Sequence, residues 1–138
     1  MDLGLENRSV LVAATSKGIG RASALAFLKE GARVTICARD ENALAATRDE
    51  LAAATGGEVL AVPADVCDAK QLESLVEQVR AAYGPVSVLV NNAGGPPTGT
   101  HATVTEQQWD ESYQLTLQSA VRLTNLVLPE MKLSLIHI

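Results

Sequence analysis

The chain has 138 residues, of which 47% are hydrophobic and 20% charged, and its formal net charge at pH 7 is −5. This composition excludes a disordered protein and predicts one domain with a hydrophobic core. The acidic balance argues against nucleic-acid binding, no apolar run approaches the roughly 18 residues of a membrane helix, and no signal-peptide pattern opens the sequence, so we expect a cytoplasmic protein.

The stretch SVLVAATSKGIG, residues 9–20, joins a predicted strand to a predicted helix. Residues 10–14 are an apolar run rich in β-branched side chains, which is typical of a strand buried on both faces. Gly18 and Gly20 follow where a helical pattern begins. A glycine turn that leads into a helix directs the first N–H groups of that helix at a phosphate. The alternative is a turn with a purely structural role.

Three further strands are predicted at residues 33–38, 58–63 and 86–90. Helices separate them, with Asp40 and Asp68 as candidate N-caps. Thr105 and Gln108 form a candidate capping box for a long fourth helix that ends at residues 129–132. One helical stripe along the fourth helix is predicted to contain Trp109, Tyr113, Leu117, Ala120, Thr124 and Val127.

The alternation of strands and helices predicts βαβ units, and therefore an α/β fold with a Rossmann-type, doubly wound parallel sheet of order 3-2-1-4. Because such a sheet normally continues, we interpret the chain as truncated after the fourth strand and fourth helix. Residues 1–132 are then the N-terminal part of a single domain. Residues 133–138, LSLIHI, resemble the translation of a sequencing-library adapter and are predicted to be a non-native tail; the alternative is a short genuine strand.

The two cysteines, Cys37 and Cys67, lie in apolar, strand-like contexts and lack metal-ligand spacing. Both are predicted to be buried, reduced thiols. We therefore expect no metal site.

Four motifs occur in the order and spacing of a known family: AATSKGIG at residues 13–20, PADV around Asp65, NNAG at 91–94, and the WD…LPEM pattern of the fourth helix. Over residues 8–132 the chain resembles the classical short-chain dehydrogenases/reductases, and 3-oxoacyl-carrier-protein reductases in particular. The resemblance implies an oxidoreductase that transfers hydride between a nicotinamide cofactor and a small carbonyl or secondary-alcohol substrate. It also implies that the full-length protein is a homo-oligomer.

The resemblance implies cofactor contacts for the turn that follows the first strand. Ala14 stands where the family has the first glycine, and its methyl group is expected to alter the contact slightly without abolishing binding. Thr15 and Ser16 would offer hydroxyls to phosphate or ribose. The backbone of Gly18, Ile19 and Gly20 would approach the pyrophosphate.

The resemblance implies cofactor contacts for two further motifs. Asp65 would accept a hydrogen bond from the adenine amino group, with Val66 beside the ring; the alternative is that Asp65 caps a loop. Asn91 would steady the central sheet, and Ala93 and Gly94 would pass near the nicotinamide ribose. An Asn-Asn pair at a strand end is otherwise typical of a turn.

Charge predicts the choice of cofactor. An acidic residue about 20 positions after the glycines would bind the ribose 2′-OH of NAD and repel the 2′-phosphate of NADP. That position is Ala38, Arg39 follows it, and Lys17 lies in the glycine turn. Two cations without an anion favour NADP(H) over NAD(H). The alternative for Arg39 is a solvated side chain paired with Asp40.

The family's catalytic residues are expected beyond this chain. In the family a Ser and a Tyr-x-x-x-Lys transfer the proton, whereas neither Tyr83 nor Tyr113 has a Lys four residues on. Thr116 occupies the position of the family's relay Asn and cannot reproduce an amide, so no catalytic residue is assigned. The chain is predicted to be inactive by itself. The alternative functions are a non-catalytic dinucleotide-binding or sensor module and a structural α/β domain without a ligand.

Overall fold

The computed structural model describes residues 2–134, in which parallel strands alternate with helices. The strands are β1 (Ser9–Val12), β2 (Arg33–Ala38), β3 (Val59–Pro63) and β4 (Val88–Val90). The helices are α1 (Gly18–Lys29), α2 (Glu41–Thr55), α3 (Ala69–Tyr83), α4 (Glu106–Tyr113) and α5 (Ser119–Leu133), with a π-helical turn at Gln114–Gln118. The sheet order β3-β2-β1-β4 confirms the predicted Rossmann-type topology.

The first and fourth strands are shorter than predicted. β1 ends at Val12 because the chain turns away from the sheet at Ala13, although the Ala13 amide still donates to the Val90 carbonyl at 3.1 Å. β4 pairs only with Val10–Val12 of β1 and therefore begins at Val88. The carboxyl ends of all the strands lie at the same edge of the sheet, since every pairing is parallel.

Alternate residues of β1 face opposite sides of the sheet, and helices cover both sides. Val10 and Val12 pack in one core cluster with residues of α1 and α2, whereas Leu11 and Ala13 pack in the other with residues of α3 and α5. None of the four is more than 1% exposed. Burial on both faces explains why this strand is a continuous apolar run.

The predicted helix caps are confirmed. The Asp40 carboxylate accepts a hydrogen bond from the Ala43 amide at 3.0 Å. The Asp68 carboxylate accepts from the two amides of the first turn of α3. Thr105 and Gln108 form the reciprocal capping box at the start of α4. Each cap satisfies N–H groups that have no partner inside the helix.

The stripe predicted for the fourth helix is wrong. Trp109, Tyr113 and Leu117 are about half exposed, and only the C-terminal part of the helix contributes to the core. The π-helical turn accommodates one extra residue, which rotates the following helix by roughly 100° relative to a continuous α-helix. Residues spaced three or four apart therefore lie on one face before the π-helical turn and on another face after it. The core residues of α5 are Leu123, Val127 and Met131.

The fourth helix ends one residue after the predicted range of 129–132. Pro129 lies inside α5, and the helix continues to Leu133. Leu133 is predicted to be part of a tail without a helical partner, but it is the last residue of α5, with an exposed side chain. Residues 135–138 lie outside the described residues. The domain boundary at residue 132 stays a prediction.

The two cysteines differ in environment. Cys37 is buried in β2, and burial raises the pKa of its thiol to about 11, opposed by a hydrogen bond from the Ala14 backbone. Cys67 lies in the turn after β3 and is only half-buried, so the prediction of a buried thiol is wrong there. Desolvation, and then the Asp65 carboxylate, raise the pKa of Cys67. Both thiols are free.

Candidate cofactor-binding site

A cleft of about 1110 Å³ opens at the carboxyl edge of the sheet. In doubly wound folds, ligands bind at this edge, where neighbouring connections run to opposite sides of the sheet. The lining residues come from the segments that follow the four strands and from the π-helical turn. They are Ala14, Ser16, Lys17, Gly18, Ile19, Ala38, Arg39, Asp40, Ala43, Ala64, Asp65, Val66, Asn92, Ala93, Gly94, Gly95 and Leu115.

The turn between β1 and α1 offers backbone N–H groups to this cleft. Ala14 and Gly18 have φ angles of 50° and 62°, in the left-handed region. The N-cap of α1 is Lys17, which makes no side-chain capping hydrogen bond, and no acidic residue lies in the first turn. The first N–H groups of α1 are therefore available to an anion. Ile19, 77% exposed, adds an apolar surface beside them.

Two residues of the same turn, Thr15 and Gly20, do not line the cleft. Thr15 is fully buried, and its hydroxyl donates to the Val12 carbonyl at 2.6 Å. Gly20 is buried against the turn, and a Cβ on it would lie 2.5 Å from the Ala14 carbonyl oxygen. Both residues shape the turn from behind. The expected direct contacts of Thr15 and Gly20 with cofactor stay predictions.

Positive charge is present on two sides of the cleft. Lys17 and Arg39 line it, and both residues are exposed. Among residues 2–134 neither forms an ion pair, so the alternative pairing of Arg39 with Asp40 is not observed. Asp40 instead caps α2. Ala38, which also lines the cleft, places no charge there.

Asp65 and Val66 follow β3 and line the cleft, while their contact with adenine stays a prediction. Oδ1 of Asp65 also accepts a hydrogen bond from the Cys67 amide at 2.9 Å, so the alternative role as a loop cap is observed. A carboxylate has two oxygens and can fill both roles. Val66 is 7% exposed, so it offers only a small apolar surface to a ligand.

The two asparagines after β4 have different partners. The Asn91 amide donates to Thr124 Oγ1 of α5 at 3.1 Å, and Asn91 does not line the cleft. The Asn92 amide donates to the carbonyls of Ala13 and Ala14 at 3.2 and 3.1 Å. Asn92 therefore connects the end of β4 to the turn before α1, whereas Asn91 connects it to a helix.

The far side of the cleft is formed after β4. Ala93 and Gly94 line it, as predicted, and Leu115 extends to it from the π-helical turn. Thr116 does not line the cleft, and its hydroxyl donates to the Ser112 carbonyl at 2.6 Å. A hydroxyl bonded within its own helix gives no support for a relay role at Thr116, and the absence of a catalytic residue stays a prediction.

Sequence reasoning did not select several residues that line the cleft. Ala64 and Gly95 follow strand ends, so the rule that ligands bind at carboxyl ends could have found them. Leu115 reaches the cleft through a π-helical turn, which has no sequence spacing of its own. The others are Asp40, Ala43 and Asn92.

Within residues 2–134, no group of three or more His, Cys, Asp and Glu side chains is arranged to hold a metal ion. In the same part of the chain, none of the helices combines the length and apolar character needed to cross a membrane.

Comparison with known proteins identifies the family. A family model described as short chain dehydrogenase matches residues 8–135. The chain belongs to the short-chain dehydrogenase family. It is 38% identical over 127 residues to the ketoacyl reductase HetN of Nostoc sp., covering 92% of this chain and 44% of that protein. It is 34% identical over 129 residues to the 3-oxoacyl-[acyl-carrier-protein] reductase FabG of Escherichia coli, covering 94% and 51%.

The fold of this chain also matches that of a solved reductase structure. The L-sorbose reductase of Gluconobacter frateurii, complexed with NADPH and L-sorbose, superposes with a TM-score of 0.92 at 33% identity. The likeness covers 97% of this chain and 51% of that one. The chain thus spans about half the length of the relatives it matches. The resemblance read from the four sequence motifs is confirmed.

Proposed function

We propose that this chain is the N-terminal, cofactor-binding half of an NADP(H)-dependent short-chain oxidoreductase. The complete protein would transfer hydride between NADP(H) and a small carbonyl or secondary-alcohol substrate. The charge of the cleft is the observation that carries the proposal: Lys17 and Arg39 line it without ion pairs among the described residues, and Ala38 stands where an NAD-selective site has a carboxylate. The NADPH held by the L-sorbose reductase supports the same choice.

The residues of the cleft fit the parts of a dinucleotide. The uncapped start of α1 would bind the pyrophosphate with N–H groups, because helix N-termini favour anions. Lys17 and Arg39 would hold the 2′-phosphate, Arg39 through its planar guanidinium. The remaining proposed contacts are Ala14, Ser16, Gly18 and Ile19 around the phosphates, Asp65 and Val66 at the adenine, and Ala93 and Gly94 near the nicotinamide ribose.

Thr15, Gly20 and Asn91 have indirect roles in this proposal. Thr15 and Gly20 shape the turn from its buried side, and Asn91 anchors the end of β4 to α5. NADPH, when bound, supplies the hydride. The side chains of this chain bind and orient it and transfer no proton, since no catalytic residue is assigned among them.

Binding affinity tests the proposed cofactor choice. We expect a lower Kd for NADPH than for NADH in calorimetric titrations. Arg39→Ala should raise the Kd for NADPH at least about tenfold, because a charge-assisted hydrogen bond to phosphate is lost, and should leave the Kd for NADH unchanged. Arg48→Ala is the matched control, since Arg48 pairs with Asp49 on α2 and does not line the cleft. Equal Kd values for the two cofactors would overturn the proposal, as would unchanged discrimination in Arg39→Ala.

We also propose that the chain by itself binds cofactor without reducing a carbonyl. Tyr83 and Tyr113, its two tyrosines, have Ser87 and Leu117 four residues on, and neither tyrosine lines the cleft. A phenol with a pKa near 10 needs a nearby cation to act at neutral pH. NADPH oxidation in the presence of a carbonyl substrate, measured at 340 nm, is expected to stay at the background rate.

The complete protein is proposed to be a homo-oligomer. An exposed stripe on α4, the π-helical turn and α5 supports this, since its four large apolar residues are each 42–57% exposed. Surfaces of this kind commonly mark protein–protein contacts. The residues of the exposed stripe are Trp109, Tyr113, Leu117 and Val121.

A further inference from the structure

We propose that Asn92 is a positioning residue of the cofactor site, because its carboxamide holds Ala14 in the left-handed conformation that shapes the turn before α1. The part that concerns affinity rests on the proposed binding of NADP(H). The part that concerns the turn can be tested without any cofactor.

Ala14 adopts a conformation that its side chain disfavours. Its φ angle is 50°, in the left-handed region where a Cβ crowds the backbone. Such a conformation persists only when the surrounding structure holds it. A glycine would adopt it without cost, but this chain has alanine. The contacts around Ala14 must therefore supply the difference.

Asn92 makes the contacts that can hold the turn. Its Nδ2 donates to the carbonyls of both Ala13 and Ala14, at 3.2 and 3.1 Å. No other donor among residues 2–134 reaches these two oxygens. One side chain from the end of β4 thus satisfies two consecutive carbonyls of a turn that lies 78 residues away in sequence. If Ala14 relaxed to negative φ, the Ala14 carbonyl would rotate away from this amide.

Gly20 provides the room for this arrangement. A Cβ on Gly20 would lie 2.5 Å from the Ala14 carbonyl oxygen and 2.9 Å from Asn92 Nδ2. The first turn of α1 therefore packs directly on the hydrogen bond between Asn92 and Ala14. Ser16 and Lys17, which line the cleft, lie between Ala14 and Gly20. Their positions consequently depend on the conformation of Ala14.

Amide hydrogen exchange of the cofactor-free chain tests the effect on the turn. The Thr15 amide donates to the Cys37 carbonyl at 3.0 Å inside the fold, and it is expected to be protected. Asn92→Ala should accelerate its exchange at least about tenfold. Thr124→Val is the matched control, because it removes the hydrogen bond of the neighbouring Asn91 and leaves Asn92 intact. Unchanged exchange of Thr15 in Asn92→Ala would overturn the proposal.

A double-mutant cycle tests whether Asn92 acts through Ala14. Asn92→Ala should weaken NADPH binding about tenfold, whereas the same change in an Ala14→Gly background should weaken it less than threefold, because glycine adopts positive φ without support. An equal loss in both backgrounds would show that Asn92 does not act by holding Ala14. Arg48→Ala, which changes a side chain outside the cleft, should leave the Kd for NADPH unchanged.

Two outcomes separate this inference from the proposed function. If the wild-type chain does not bind NADPH, the proposed function fails, while the exchange experiment still decides the role of Asn92. If Asn92→Ala does not fold, Asn92→Asp decides: an ionised carboxylate keeps the shape and donates no hydrogen bond, so exchange of the Thr15 amide should still accelerate, and unchanged exchange would overturn the proposal.

Discussion

The four helices that begin after a loop have starts of two kinds; α5 continues from the π-helical turn. α2, α3 and α4 begin at Asp40, Asp68 and Thr105, and each of these side chains accepts hydrogen bonds from the first turn. α1 begins at Lys17, which makes no such bond, and its first turn contains no acid. At the three capped starts, side chains of the chain itself accept hydrogen bonds from the first-turn N–H groups. The start of α1 leaves its N–H groups to whatever occupies the cleft.

The difference shows where folding stability and binding compete. A cap contributes about 1 kcal/mol to a helix, and α1 lacks that contribution. The glycine turn and the disfavoured φ of Ala14 are further costs at the same place. These features concentrate at the edge of the sheet where doubly wound folds bind ligands. A missing helix cap and a disfavoured backbone conformation at this edge thus indicate the binding site.

The largest effect is expected when the uncapped start of α1 is given an acidic cap, which should weaken NADPH binding. In Lys17→Asp the new carboxylate would accept hydrogen bonds from the first turn of α1 and would face the phosphates of the cofactor with the wrong charge. We expect the Kd for NADPH to rise at least about 100-fold, as one charge-assisted contact is lost and one repulsion is added. The free energy of unfolding should rise by about 1 kcal/mol in the absence of cofactor.

Lys17→Ser is the control for that variant. Serine caps a helix without negative charge, so stability should rise in the same way while binding weakens less than in Lys17→Asp. Urea unfolding and calorimetric titration measure the two effects. A Lys17→Asp chain that binds NADPH as the wild type does would contradict the assignment of the α1 start to the phosphates.

Removing the cap of α3 should lower stability without changing cofactor binding. Asp68→Ala is expected to lower Tm and leave the Kd for NADPH unchanged, because Asp68 does not line the cleft. The pKa of Asp68 lies below its usual 3.8, mainly through the hydrogen bond from the Gln71 amide. A depressed pKa means that the contribution of the cap is present above the unfolded-state pKa, near 3.9, and is lost as the pH falls through the native pKa.

Urea unfolding at pH 7 and at pH 2 to 3 measures this dependence. The difference between wild type and Asp68→Ala should be full at pH 7 and shrink as the pH falls below about 4. Asp68→Asn is the matched variant, since an uncharged amide caps nearly as well. A difference that does not change with pH would contradict a role for the ionised carboxylate.

The smallest effect is expected at the capping box of α4. Gln108 Oε1 accepts a hydrogen bond from the Thr105 amide at 2.9 Å on an exposed surface. Gln108→Ala should lower the free energy of unfolding by about 0.5 kcal/mol, since exposed hydrogen bonds are partly replaced by water. Gln107→Ala, which removes a bond to Glu111 within the same helix, is the comparison variant and should cost less.

The fold could be predicted from the sequence where local signals agreed. β-branched runs gave the strand positions, and Asp40, Asp68 and the Thr105–Gln108 pair gave the helix starts, because caps depend on adjacent residues only. The end of the fourth helix was predicted to within one residue, although proline was taken as the start of that end. Pro129 predicts a helix end, but it is accommodated inside α5. The π-helical turn has no local signature, so the sequence pattern places Trp109 and Val127 on one stripe, whereas Trp109 is exposed and Val127 is buried.

The candidate site was predicted where its residues follow strand ends, and the rest depends on contacts distant in sequence. Lys17, Arg39, Asp65 and Gly94 line one cleft, as expected. Nothing local distinguishes Asn91 from Asn92, and their different partners follow from the way α5 and the β1–α1 turn pack beside β4. The family resemblance selected Asn91, while Asn92 is the residue that lines the cleft.

The exposed stripe has an optical consequence. Trp109 is the one tryptophan in the sequence, and it is 57% exposed. Its fluorescence in the folded chain is that of a largely solvated indole, so unfolding will shift the emission only slightly, and circular dichroism is the better measure of folding. Any surface that covers the exposed stripe will move the emission to shorter wavelengths. The chain therefore contains its own reporter of association, located outside the cofactor cleft.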